Sequence, residues 1–229
     1  MKIFSYSCLN STNDQANQLL ADQTSLPFVV ISRKQLAGKG RYGKRYFCPE
    51  GGLWFTLVDQ FQNEIGKRYA LIIALILTEL LSDFNLKAQI KWPNDIIVND
   101  KKVAGILAKI HADVIKIGIG INTNVNDFPR NLSDTSTSLL IEMSQKVDNQ
   151  KLLNKFIEMY QYAIKQEVAI DQYRQQLIWI GSEVSLVTVA GKKIEGVFQG
   201  VTDQGFALVN QNIVYDGHLR LKKPQTPNK

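Results

Sequence analysis

The sequence predicts an α+β protein: a mixed, mainly antiparallel sheet with packed helices, followed by a small all-β unit. Three observations carry this. Residues Ala88–Asn122 alternate apolar and polar positions across two turns, the pattern of an antiparallel meander. Gly66–Ser82 reads as a helix apolar almost all round, and Gln150–Trp179 as one or two helices with apolar residues at helical spacing. From Gly181 onward the texture changes to short strands broken by tight turns, the spacing of a small barrel.

In chain order, Lys2–Ser7 reads as an edge strand. Ser11-Thr12-Asn13-Asp14-Gln15 then opens a helix. Thr12 with Gln15, and Ser11 with Asp14, have capping-box spacing. Three small polar residues at a helix start also suit hydrogen bonds to a ligand, so both readings stand. Phe28–Ser32 is apolar throughout and reads as a buried strand. Leu53–Val58 is the next strand, and Gly66–Ser82 a helix apolar nearly all round, hence central. Pro93 biases Trp92 away from helix, and Asn94–Asp95 is turn chemistry. Ile96–Val98, Lys102–Ile110 and Val114–Asn122 continue the meander. Gly105, Gly118 and Gly120 lie inside these strands, marking either close approach of a ligand or a bulge. Val125–Lys146 reads as polar and irregular. Leu152, Leu153, Phe156, Ile157, Tyr160 and Ile164 form the packing stripe of a helix. Glu183–Val189, Lys193–Val201, Phe206–Asn210 and Ile213–Tyr215 are the expected barrel strands, with Lys222–Lys229 a frayed tail. The expected domains are 1–180 and 181–229.

The charge is concentrated in one place. Arg33–Phe47 holds six basic residues, no acidic one, and Gly38, Gly40 and Gly43. The chain has 27 Lys+Arg against 21 Asp+Glu; without these six the counts are equal. Basic side chains and open backbone N–H groups suit a compact anion such as phosphate. A solvated surface loop without a ligand is the plainer reading. The G-x-G-x-x-G spacing is not a dinucleotide turn, because Lys44–Glu50 runs through Pro49 into another strand and not into a helix N-terminus.

Composition excludes several classes. Two cysteines, Cys8 and Cys48, are too few for a disulfide framework or a zinc site, and read as free thiols in a reducing cytoplasm. Met1–Leu9 lacks the apolar core of a signal peptide, and Tyr69–Leu77 falls well short of the ~20 residues of a membrane span. Only two histidines are present, and no Ser-His-Asp or Cys-His arrangement.

Four landmarks now stand in order: Ser11-Thr12-Asn13; Gln35 with Gly38-Lys39-Gly40-Arg41-Tyr42-Gly43; Lys91-Trp92-Pro93-Asn94-Asp95 with Lys102-Val103-Ala104-Gly105-Ile106-Leu107; and Gly118-Ile119-Gly120-Ile121-Asn122. Together they resemble the biotin–protein ligases (biotin–[acetyl-CoA-carboxylase] ligases), over essentially the whole chain. The resemblance implies a class II aminoacyl-tRNA-synthetase/biotin-ligase-like catalytic domain and an SH3-like C-terminal domain. About ten residues precede Ser11, which resembles the ligase-only form without a DNA-binding domain; no DNA or membrane partner is expected.

The implied reaction has two steps. Biotin and Mg·ATP give biotinyl-5′-AMP and pyrophosphate; a lysine of a biotin carboxyl carrier protein then takes the biotinyl group. The resemblance implies roles by position. Ser11, Thr12, Asn13 and Gln35 would hold the biotin ring. Lys39, Gly40 and Arg41 would close over the biotin tail and phosphate. Lys102 would sit between carboxylate and α-phosphate, giving Lys102, Arg41 and Lys39 as the catalytic set. Trp92 and Gly105 would line the biotin pocket. Tyr46, Asn94, Asp95 and Asn122 would serve the adenylate, with Asp95 a candidate Mg²⁺ ligand. Three departures from the family pattern stand out: Lys39 for an arginine, Tyr46 for a tryptophan, and Lys109 for an acidic residue near the site. A homodimer is one expected assembly. A lipoate–protein ligase or a non-catalytic biotin or nucleotide sensor are the alternatives.

Overall fold

The computed structural model describes residues 1–62, 65, 68–166 and 170–222. Gly66 and Lys67 of the expected central helix, residues 167–169 and the expected tail past Lys222 lie outside them.

Seven strands form one sheet: β1 (Lys2–Tyr6), β2 (Phe28–Ser32), β3 (Leu53–Gln60), β4 (Gln89–Lys91), β5 (Asp95–Val98), β6 (Lys101–His111) and β7 (Val114–Ile121). Their order is β1-β2-β3-β7-β6-β5-β4. β1 pairs parallel to β2 and every other ladder is antiparallel, a mixed, mainly antiparallel sheet. The parallel pair needs a crossover, which α1 (Thr12–Ala21) supplies.

The sheet buries both faces differently. In β2, Phe28 and Val30 pack with Ala16 of α1, while Val29 faces the main core. This explains why the strand is apolar without alternation. The main core lies between the sheet and α2 (Tyr69–Ser82), which is buried nearly all round, with α4 (Asn149–Ala163) and α5 (Ile170–Gln176) behind it. Between them, Leu139–Met143 forms a short helix, α3, capped by Ser138 Oγ accepting from Ile141 N–H at 3.1 Å. The sequence reading of 125–146 as irregular missed it, because a five-residue helix carries too little periodicity to register.

β7 shows the logic of the site. Ile115, Ile117, Ile119 and Ile121 enter the core, so Gly118 and Gly120 occupy the opposite face. Gly120 pairs with Gly105 of β6 in an unbroken register. The ladder shift in this region falls between Ile96 and Ile97, so these glycines mark no bulge.

The second sheet holds β8 (Glu183–Val187), β9 (Lys193–Val201), β10 (Ala207–Val209), β11 (Asn212–Val214) and β12 (His218–Leu221), in the order β11-β10-β9-β8-β12. β12 was not foreseen. Two of its four side chains are exposed, so His218–Leu221 carries little alternation to read. This sheet is joined firmly to the first. Trp92 Nε1 donates to Gly205 O at 2.9 Å, and Arg174 binds Val201 O at 3.1 Å and Asp203 at 2.6 Å.

Candidate active site

A cleft of about 360 Å³ opens on the sheet face opposite α2, over Gly105, Gly118 and Gly120. At each glycine an added Cβ would force a neighbour to move. A Cβ on Gly118 would stand 2.5 Å from Asn13 Nδ2; one on Gly120 would stand 2.8 Å from Tyr46 Cε1; one on Gly105 would stand 2.9 Å from both Tyr46 Cε2 and Lys102 Nζ. The bare backbone lets polar and aromatic groups reach the sheet floor.

At one end, the start of α1 and the basic loop meet. Ser11 is the N-cap and accepts from Asn13 N–H at 3.2 Å. The Thr12–Gln15 capping box is not made; instead Thr12 N–H donates to Gln35 Oε1 at 2.7 Å, and Thr56 hydroxyl donates to Thr12 Oγ1 at 2.8 Å. Gln35 Nε2 in turn donates to Cys48 Sγ at 3.1 Å. Burial pushes the Cys48 thiol up to about 12, outweighing the hydrogen bond from Gln35. Asn13 Oδ1 is buried and has no protein partner. A buried amide oxygen left open is costly unless a ligand donor completes it.

The rest of the cleft is rich in cations. Lys102 Nζ sits 2.5 Å from Asp95 Oδ1 and 5.1 Å from the centre of the Tyr46 ring. The Lys102 backbone is braced on both sides: its N–H donates to Thr135 O at 2.8 Å, and its carbonyl accepts from Thr137 N–H at 2.9 Å. Arg41, in a single 3₁₀ turn (Arg41–Gly43), donates to Asn94 Oδ1 at 3.2 Å and to Gly217 O at 3.3 Å. Lys39 pairs with Asp14 at 2.5 Å. Tyr46 hydroxyl donates to Gly120 O at 3.2 Å; burial, then Cys48 and Asp95, raise its pKa well above the usual phenol value. Burial lowers the pKa of His218, and the nearby Lys44 and Arg41 charges lower it further.

Of the residues singled out from sequence, the cleft brings together Thr12, Asn13, Gln35, Lys39, Gly40, Arg41, Tyr46, Asn94, Asp95, Lys102 and Gly105. Ser11 acts behind it, as the cap. Trp92 does not line it: the side chain is 3% exposed, in the main core, with its indole on Gly205. Asn122 is likewise turned to the backbone, donating to Thr137 O at 2.9 Å and Lys102 O at 3.3 Å. Lys109 does not line the cleft: it is exposed on β6 opposite Lys116, whose ammonium feels the Lys109 charge and those of Asp14 and of Lys39 at the cleft. Thr56, Cys48, Thr135 and His218 were not foreseen. No local motif marks them, since each reaches the site through sheet pairing or tertiary packing.

A carboxylate, uncharged polar groups and cations thus share one glycine-floored face, and among the described residues no Ser-His-Asp or Cys-His set stands beside them. Fold and cleft define an enzyme that positions substrates for a reaction between them. The chain belongs to the biotin/lipoate A/B protein ligase family, which it matches over residues 5–126. Residues 179–212 match the biotin protein ligase C-terminal domain. The bifunctional ligase/repressor BirA of Bacillus subtilis is 27% identical over 220 residues, covering 89% of this chain and 68% of that protein. The biotin–[acetyl-CoA-carboxylase] ligase of Mycobacterium tuberculosis is 26% identical over 191 residues, covering 77% and 71%. In structure, the Aquifex aeolicus biotin protein ligase in complex with biotin and ATP superposes with a TM-score of 0.85 at 24% identity, covering 96% of this chain and 98% of that one.

Proposed function

We propose that the protein is an ATP-dependent biotin–protein ligase. A biotin carboxylate oxygen attacks the α-phosphorus of ATP; the bond from that phosphorus to the bridging oxygen breaks, and pyrophosphate leaves with the electron pair. The amine of an acceptor lysine then attacks the acyl carbon of biotinyl-5′-AMP; AMP leaves and the amine loses a proton to solvent. The acceptor is a biotin carboxyl carrier protein.

The observation that carries this is Lys102 beside Asp95 on the glycine floor, in the same cleft that Asn13 and the cationic loop line. An ammonium there holds two anions together and stabilises charge at phosphorus; positioning and electrostatics supply the catalysis, with no covalent enzyme intermediate. Asn13 Oδ1, lacking a partner, suits a ureido N–H. Arg41 and Lys39 would turn from Asn94, Gly217 and Asp14 to the phosphate.

Mg²⁺ would enter with ATP. The described residues hold no cluster of three or more metal-ligating side chains, and Asp95 is the one carboxylate among those lining the cleft. This fits Mg²⁺, which is held by one or two carboxylates with substrate phosphates and water. Asp95 would hold it, and the ion would neutralise phosphate charge.

Lipoate is the second reading, since the family joins both acids. The match of residues 179–212 to a biotin ligase C-terminal domain favours biotin. Two units, 1–180 and 181–229, a homodimer and a cytoplasmic location complete the proposal. No helix among the described residues is long and apolar enough to cross a membrane. Pyrophosphate release with ATP and biotin, but not with ATP and lipoate, is expected; the reverse preference would replace biotin with lipoate.

A further inference from the structure

The second sheet reaches into the cleft. Its anchors, Trp92 on Gly205 and Arg174 on Val201 and Asp203, fix it against the first sheet. The turn before β12 then lies at the cleft rim. Gly217 sits at φ +140°, a conformation side chains rarely adopt, and a Cβ there would stand 2.6 Å from Val187 O. This tight turn presents two groups. The Gly217 carbonyl accepts from Arg41 Nη1, and the His218 ring lines the cleft, edge-on to Tyr42 with ring centres 5.5 Å apart.

His218 has a feature that packing does not explain. Its Nε2 is buried with no hydrogen-bond partner. A buried ring nitrogen left open costs stability unless something completes it. The charged groups acting on the ring are Lys44, Arg41, Arg220 and Asp95, three cations against one carboxylate. A protein acceptor is lacking, and the field favours an anion.

We propose that His218 and Gly217 form the far wall of the nucleotide subsite: His218 Nε2 donates a hydrogen bond to the departing pyrophosphate half of ATP, and the Gly217 carbonyl holds Arg41 until phosphate takes it. This rests on the ligase reading above and deepens it. The second sheet then contributes directly to the first half-reaction. It has no such part in the second, because pyrophosphate has already left when the acceptor lysine attacks. An arriving anion also opposes the Lys44, Arg41 and Arg220 charges at the ring, since negative oxygens stabilise an N–H donor.

The two half-reactions separate the outcomes. His218→Ala should raise the KM for ATP in pyrophosphate release by roughly tenfold or more. It should weaken inhibition by added pyrophosphate by a similar factor. The KM for biotin, and transfer from preformed biotinyl-5′-AMP to a carrier domain, should stay at the wild-type level. His218→Gln, which keeps a side-chain N–H donor, should recover most of the ATP affinity. Equal losses in both half-reactions in the Gln variant, or an unchanged KM for ATP in the Ala variant, would overturn the assignment. If the wild-type protein released no pyrophosphate with biotin and ATP, the ligase reading itself would fail. Activity in the wild type with indifferent His218 variants sinks this proposal alone.

Discussion

Lys102 and Asp95 face each other at 2.5 Å from neighbouring strands, β6 and β5, and both side chains are about one-quarter exposed at the cleft. The pair is not a stability device of consequence; part-exposed ion pairs contribute little. Its value lies in position. Asp95 holds the ammonium over the glycine floor, and the strand bonds to Thr135 and Thr137 fix the backbone that carries it.

Removing the ammonium should therefore remove chemistry while sparing the fold. Lys102→Ala is expected to slow biotin-dependent pyrophosphate release by about 10²–10³-fold, the usual scale for losing one preorganised electrostatic group. Circular dichroism and Tm should stay close to wild type. A rate near wild type would remove Lys102 from the mechanism.

Gly118 makes a second test, at the other end. A Cβ there meets Asn13 Nδ2 at 2.5 Å, so Gly118→Ala must push the amide aside. Calorimetry should show biotin affinity falling by about tenfold or more, as a hydrogen-bonded ring contact is displaced. Unchanged affinity would mean that Asn13 does not hold the ring.

The cationic loop offers a third. Lys44 and Arg45 line the cleft within the glycine-spaced segment. Bound adenylate should neutralise the like charges and close the segment. Trypsin cleavage after Lys44 and Arg45, followed by mass spectrometry, should slow markedly when biotin and ATP are added together. Equal cleavage with and without them would argue against closure.

Cys48 supplies a pH test. With its thiol pushed up to about 12, the residue is protonated at pH 8, and reactivity needs the thiolate. Iodoacetamide at pH 8 should modify the exposed Cys8 and leave Cys48 untouched. Labelling of Cys48 should rise only as the pH approaches 12 or the protein unfolds. Prompt modification at pH 8 would contradict its enclosed place behind Gln35.

What could be read beforehand followed locality. The alternation of isoleucine with glycine in β7 showed the core face, while the unbroken β6–β7 register was needed to tell a cleared face from a bulge. The Arg33–Phe47 charge bias marked the loop whose Lys39, Arg41, Lys44 and Arg45 line the cleft. What could not be read depends on contacts between distant segments. Trp92 looks like a pocket residue beside Asn94 and Asp95, yet its indole bonds Gly205, 113 positions away. Asn122 follows the Gly-x-Gly-x strand but turns to the Thr137 backbone. His218 enters the cleft only because the second sheet docks where it does. Short strands such as β12 carry too few residues for alternation to show, and α3 too few for a helical period.

The central claim is that this cleft moves biotin from the free acid to a protein lysine by way of ATP. Labelled biotin, ATP and Mg²⁺ incubated with a purified biotin carboxyl carrier domain test it in one reaction. The account predicts label fixed covalently on the carrier's acceptor lysine, with AMP and pyrophosphate formed and the signal lost in Lys102→Ala. A carrier that stays unlabelled while the folded protein binds biotin and ATP would contradict it.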